Sequence, residues 1–155
     1  LILVGASEYI NELKAKYSNN YIHFIDTFTE PLEWMGWEEI FDVGLLPTYF
    51  ISESLPTVIV EYLFLNKPVI ATDIAEIKSM IVNDKISAGI TISLKNGKPN
   101  VDELKNAMLE LMNDTKKYEE LKKNTKEFAK RFDMDKCIKE YKKLIDDNNG
   151  GEGNE

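Results

Sequence analysis

The sequence contains one cysteine, Cys137, and one histidine, His23. A single cysteine excludes an intrachain disulfide framework and any Cys-x-x-Cys metal site, and it fits a reducing compartment. A single histidine offers no cluster for a metal, so His23, within the alternating run Tyr21-Ile22-His23-Phe24, reads as structural. No metal site is expected. No apolar run reaches the ~18 residues that cross a bilayer. The opening Leu1-Ile2-Leu3-Val4-Gly5 has neither a basic n-region nor a cleavage-site pattern. It also lacks an initiator Met, which reads as a segment cut from a longer protein. Positive charge is in deficit: 19 Lys and Arg face 27 Asp and Glu, for a net charge of -8. That balance argues against a nucleic-acid partner, because phosphate neutralisation needs clustered cations.

What is present fits a globular chain. Of 155 residues, 43% are hydrophobic and 30% charged, which excludes whole-chain disorder. A chain of this length buries roughly 70% of its unfolded surface. Residues 1–147 are expected to form one compact domain, and the polar tail 148–155 a disordered end. The late cations Lys116, Lys117, Lys122, Lys123, Lys126, Lys130 and Arg131 alternate with Glu119, Glu120 and Glu127, the pattern of a solvated helix. Cys137, with Met134, Ile138 and Tyr141 at helical spacing, reads as a packed rather than a reactive thiol.

Short β-rich runs alternate with helical stretches over the first two thirds, the mark of a parallel sheet with crossover helices. Strands are expected at Leu1 to Val4, Tyr21 to Ile25, Val43 to Pro47, Pro68 to Thr72 and Gly89 to Ser93. Helices are expected at Glu8 to Tyr17, Pro31 to Glu38, Pro56 to Leu65 and Ala75 to Val82, the last ending at the Asn83-Asp84 breaker. Past Gly97 and Pro99 the pattern is helical only: Val101 to Met112, Thr115 to Phe132 and Met134 to Ile145, with Asp114 and Asp133 as N-caps of the last two. The class is therefore α/β, a Rossmann-like doubly wound parallel sheet with C-terminal helices. A first βα unit is expected upstream of Leu1. Such sheets bind ligands beyond the carboxyl ends of their strands. Gly5 allows a tight turn there, but Val4-Gly5-Ala6-Ser7-Glu8 lacks GxGxxG and disfavours a dinucleotide site. Asp26 and Thr27 read either as turn formers or as contacts to a base. Trp34 and Trp37 read as a cover for the sheet edge.

The run Leu46 to Asp73 leaves a strand, crosses a loop and enters a helix. Pro56 suits the opening turn and Ser54 a cap ahead of it. Ser54, Thr57 and Glu61, spaced three and four apart, are expected to share one helix stripe. That stripe starts at a helix N-terminus, where free N–H groups and the dipole favour an anion such as phosphate. A carboxylate about 7 to 8 Å further along suits a ribose diol. Glu53, in the loop, lies where a sugar on the far side of a diphosphate would sit. The plainer reading makes all three the wet stripe of an amphipathic helix. A glycosidase pair is disfavoured, since up to ~12 Å along the axis exceeds the ~5 to 9.5 Å of such enzymes.

Glu53, seven residues, Glu61, then Asn66-Lys67-Pro68-Val69-Ile70-Ala71-Thr72-Asp73 resembles the C-terminal domain of GT-B glycosyltransferases of the family 4 type. Those enzymes carry a Glu-x7-Glu motif with a proline shortly after the first Glu, matched by Pro56, and a following Gly-Lys-Pro-Val-Ile-Ala-Thr stretch. The resemblance extends over nearly all of residues 1 to 145, including Phe41-Asp42-Val43-Gly44-Leu45-Leu46-Pro47. It departs at Ser54, where the family has Gly, and at Ile74-Ala75, where it has Gly-Gly. The resemblance implies one half of a GT-B fold and a retaining hexosyltransferase of glycan biosynthesis. It implies a nucleoside diphosphate sugar as donor, UDP- or GDP-linked, with no further cofactor. Glu53 would be the catalytic carboxylate, as nucleophile or electrostatic stabiliser. Ser54, Leu55, Pro56, Thr57 and Val58 would cradle sugar and diphosphate, and Glu61 would bind the ribose.

The implied partner is an N-terminal acceptor domain outside this chain. Cations that neutralise the diphosphate are likewise expected ahead of Leu1, so the isolated segment should be inactive. The implied location is cytoplasmic, with the full-length protein peripheral to the inner face of a membrane. Two other readings stand beside it: a non-catalytic nucleotide-binding or regulatory α/β module, and a nucleotide-sugar epimerase. If the C-terminal helix crosses toward the partner domain, Phe132, Ile138 and Tyr141 are expected to be exposed in the segment.

Overall fold

A computed structural model describes residues 1–5, 8–25, 36 and 39–149, the side chains of 148 and 149 excepted. The chain divides into two compact units, Leu1–Ile40 and Phe41–Glu155. In the first, β1 (Ile2–Val4) pairs in parallel with β2 (His23–Ile25), Leu3 standing opposite Phe24. Helix α1 (Ile10–Tyr17) connects them and closes on a turn in which Asn19 Oδ1 accepts from the Tyr21 and Ile22 amides. His23 is exposed at the start of β2. The expected helix at Pro31 to Glu38, with Trp34 and Trp37, and the loop residues Asp26 and Thr27 lie outside the described residues, as does the tail from 150.

The second unit is built on a parallel three-stranded sheet of β3 (Gly44–Leu46), β4 (Val69–Thr72) and β5 (Gly89–Ile92), with β4 in the middle. All four β4 residues are fully buried, which is why Val-Ile-Ala-Thr shows no polar alternation. Its side chains divide by the strand period of two. Val69 and Ala71 join a core with Ile59, Leu63, Ile77, Ile81 and Phe128, whereas Ile70 joins Ile92, Ala107, Leu111 and Leu121. Helices α2 (Thr57–Phe64) and α3 (Ile77–Ile81) therefore supply one face. Helix α4 (Val101–Asn113) supplies the other. Helix α5 (Thr115–Ala129) contributes to both, through Phe128 and Leu121. Sheet covered on both faces is the doubly wound arrangement, and each buried Ile or Leu adds about 1.5–3 kcal/mol. The strand pairings fall into separate parallel sheets, β1–β2 and β3–β4–β5.

Two glycines set how closely the layers approach. A Cβ on Gly44 would overlap the Tyr62 ring of α2, and one on Gly89 would overlap the Val69 carbonyl oxygen of β4. Between α2 and β4 the chain reverses through Asn66 in the left-handed region (φ 56°). Lys67 N–H donates to the Tyr62 carbonyl (2.8 Å) and Asn66 N–H to that of Leu63 (3.1 Å), a Schellman end. Asparagine tolerates that backbone region, so a glycine is not required at this turn.

Other differences from the expected elements have local causes. Leu94–Lys95 and Lys98–Pro99 form a small antiparallel hairpin, β6 and β7, where only a loop was expected. Its turn residues Asn96 (φ 55°) and Gly97 (φ 73°) carry the positive φ of a two-residue hairpin turn. Asp114 and Asp133 cap as expected, accepting from the Lys117 amide (2.9 Å) and the Lys136 amide (3.2 Å). Phe132 ends a 3-10 turn over Lys130–Phe132 and packs against the core, contrary to its expected exposure. The expectation that Cys137 is packed fails. On α6 (Met134–Asn149), Cys137, Ile138, Tyr141, Leu144 and Ile145 form an apolar stripe that faces solvent.

Candidate functional site

The expected site lies wholly within the second unit, at the carboxyl end of β3. Its loop, residues 47–56, is tied by the Phe50 amide donating to Thr48 Oγ1 (3.1 Å) and the Glu53 amide donating to the Phe50 carbonyl (3.0 Å). Glu53 is half-buried, while Ser54 and Leu55 are exposed. The fixed φ of Pro56 (-65°) with an extended ψ of 112° makes it the N-cap, and α2 begins at Thr57. Pro56 is buried, and its carbonyl accepts from the Ile59 amide (3.1 Å).

This geometry corrects two expectations. Ser54 does not cap α2, which has no side-chain cap hydrogen bond, and it stands outside the helix rather than on a stripe with Thr57 and Glu61. Pro56 causes both, because its own extended backbone moves the first helical residue to Thr57. Thr57 and Glu61 do share a helix face, four residues apart, with Thr57 exposed and Glu61 half-buried. Val58 is partly buried against the core. Since Pro56 has no N–H, the donors available at this end begin with the amides of Thr57 and Val58.

The stretch from Thr72 to Ala75, which the resemblance also covers, adds features that the sequence does not show. At the carboxyl end of β4, the Thr72 hydroxyl is buried without a hydrogen-bond partner among the described residues. Beyond it Asp73, whose amide donates to the Ile92 carbonyl (2.7 Å), forms an exposed ion pair with Lys78 (3.1 Å). Ala75 then adopts φ 45°, a left-handed conformation at one of the positions where the resembled family has glycine. A Cβ there costs roughly 1 kcal/mol. Ala75→Gly is therefore expected to raise the thermal midpoint by about 1–3 °C. Differential scanning calorimetry checks this, and an unchanged or lower midpoint would show that the turn is unstrained.

After β5, Glu103 of α4 accepts from the Ser93 amide (2.6 Å), Ser93 Oγ (2.8 Å) and Asn100 Nδ2 (2.8 Å). The Ser93 hydrogen bonds hold its carboxyl below the ordinary value of 4.5, with partial desolvation opposing them and Asn100 assisting. A depressed folded value contributes stability above the unfolded value and loses it as pH falls through the folded value. Glu103→Gln should thus be less stable than the parent at pH 7, with the gap closing below pH 4.5. Urea unfolding at both pH values measures the gap, and a gap independent of pH would assign the effect to packing.

The family of glycosyl transferases group 1 matches residues 2–128. The chain belongs to that family. This group 1 chain is 31% identical over 96 residues to an uncharacterised glycosyltransferase of Methanocaldococcus jannaschii, covering 62% of this chain and 26% of the relative. Anabaena HepE, solved in complex with UDP-glucose, superimposes with a TM-score of 0.72 at 21% identity, over 94% of this chain and 40% of that one. Sucrose-phosphate synthase of Thermosynechococcus elongatus gives 0.70 at 19%, over 93% and 38%. Identities this low speak to the fold, which is the α/β fold of GT-B C-terminal domains. The chain spans about a quarter of the curated relative and about two fifths of these structures. Among the described residues no helix is long and apolar enough to cross a membrane.

Proposed function

We propose that this chain is the donor-binding domain of a retaining glycosyltransferase that moves a hexose from a nucleoside diphosphate sugar, without a metal, to an acceptor held by a separate N-terminal domain. The observation that carries the reading is the run from β3 to β4: a loop bearing Glu53, an uncapped helix start at Thr57, and Glu61 one turn into α2. A helix start with no side-chain cap leaves amide donors for a diphosphate, and the dipole adds to them. In this reading the backbone from Ser54 to Val58, with Pro56 fixing the entry, cradles sugar and diphosphate. Glu61, about 6 Å along the axis from Thr57, accepts from the ribose diol. Glu53 faces the sugar near the carbon that reacts.

Support comes from the family match and from HepE, a protein of the same fold solved with UDP-glucose. The diphosphate's counter-charge falls to cations outside this segment, so the segment binds donor weakly and does not turn over. A cytoplasmic location, where nucleotide sugars are at hand, goes with this reading. Calorimetric titration of the chain with UDP-glucose and with a GDP-hexose tests it. Saturable binding of one of them is the expected result, and no heat from either at millimolar ligand would contradict it.

A further inference from the structure

A diphosphate at the start of α2 calls for a cation beside it. Between Phe41 and Ser93 the cations are Lys67, Lys78 and Lys85. Lys67 follows α2 and Lys85 follows α3, so both sit in turns that lead into the amino ends of β4 and β5. Lys95 and Lys98 come after β5, which β4 separates from β3. Lys78 is placed differently. The left-handed turn at Ala75 (φ 45°) brings the second residue of α3 back toward the carboxyl end of β4, where its ammonium meets Asp73 Oδ2 at 3.1 Å. Asp73 is itself fixed to the strand end, since its amide donates to the Ile92 carbonyl (2.7 Å).

That position neighbours the start of α2. Strands β3 and β4 are adjacent and parallel, so the loops that leave them, 47–56 and 73–76, emerge side by side at one edge of the sheet. Helices α2 and α3 then pack on one core, through Ile59 and Leu63 of the first and Ile77 and Ile81 of the second. Neighbouring helices on one layer lie ~10 Å apart, a gap that a lysine side chain and a phosphate fill together. The Lys78–Asp73 pair is open to water, with side chains 56% and 40% exposed. An ion pair in that setting is weak, so the ammonium changes partners at little cost. We propose that Lys78 binds the donor's diphosphate, exchanging Asp73 for a phosphate oxygen when the nucleotide enters, and that Asp73 holds the ammonium in place until then. Lys78 adds one counter-charge from within the chain to those expected outside it. The inference rests on the donor-site reading above.

The probe is UDP, titrated into the parent chain and three single variants while amide shifts are followed by NMR. Lys78→Gln is expected to weaken binding by about fivefold or more, and Lys78→Arg to keep it within about twofold. Asp73→Asn should move the other way, tightening UDP by about two- to fivefold, because the phosphate then has no competitor for the ammonium. The opposite signs separate a phosphate contact from a structural pair, since loss of a structural pair would weaken binding in both Lys78→Gln and Asp73→Asn. Both positions are exposed, so each variant is expected to keep the circular dichroism of the parent. Unchanged UDP affinity in Lys78→Gln, or weaker binding in both variants, overturns the proposal alone if the parent binds UDP. A parent that binds no UDP overturns the donor reading and this inference together.

Discussion

Gly89→Ala is expected to lower the thermal midpoint by about 6–12 °C, corresponding to roughly 3 kcal/mol. The added Cβ would overlap the Val69 carbonyl oxygen, which belongs to the central strand and cannot rotate away, and it would crowd Ile81 Cδ1 at 3.2 Å. Relief requires separating β5 from β4 at the register pair Val69–Gly89. Gly44→Ala provides the comparison. Its Cβ would meet the Tyr62 ring, a side chain with some freedom to move, so a smaller loss is expected. Thermal unfolding followed by circular dichroism measures both. Equal small losses would mean that the β4–β5 approach is not the tight constraint described above.

The second large effect is on ligand affinity. Glu61→Ala is expected to weaken UDP and UDP-sugar binding alike by about 10–100-fold. The basis is one charge-assisted hydrogen bond of about 1.5–3 kcal/mol to the ribose. Glu53→Ala should behave differently, leaving UDP binding within about twofold and weakening only the UDP-sugar, because its proposed contact is with the hexose. Glu61→Gln keeps the shape and removes the charge, which separates a ligand role from a packing role. Circular dichroism of each variant confirms that α2 persists. Unchanged UDP affinity in folded Glu61→Ala would remove the ribose contact from the account.

Much of the fold was legible because its punctuation is local. Asn83, Asp114 and Asp133 sit where their side chains accept from nearby amides, and the turn and caps appear there. The buried run Val69 to Thr72 read as a strand because a central parallel strand has no wet face. The errors arose where a single residue outweighed the pattern around it. Pro56 moved the helix start and left Ser54 outside, although the spacing of Ser54, Thr57 and Glu61 fits a stripe. The Asn96-Gly97 turn signal was present, but the strands beside it are two residues each and too short for periodicity to show.

Exposure was the least legible property. Ile138 and Tyr141 are exposed on α6 as expected, whereas Cys137, expected to be packed, is exposed and Phe132, expected to be exposed, packs against the core. Which of them meets other elements depends on tertiary contacts that no local rule contains. Ala75 shows the reverse case, in which the turn keeps a left-handed backbone although glycine is absent.

The central claim is that the start of α2 and the loop before it hold a nucleotide sugar. Amide-resolved NMR of the chain, titrated with UDP-glucose or the GDP-hexose found to bind, tests this most directly. The account predicts that the largest shifts fall on Ser54, Leu55, Thr57, Val58 and Glu61, saturating together with one dissociation constant, and that the α6 amides stay in place. Saturable shifts confined to other elements, with these five amides unmoved, would contradict it.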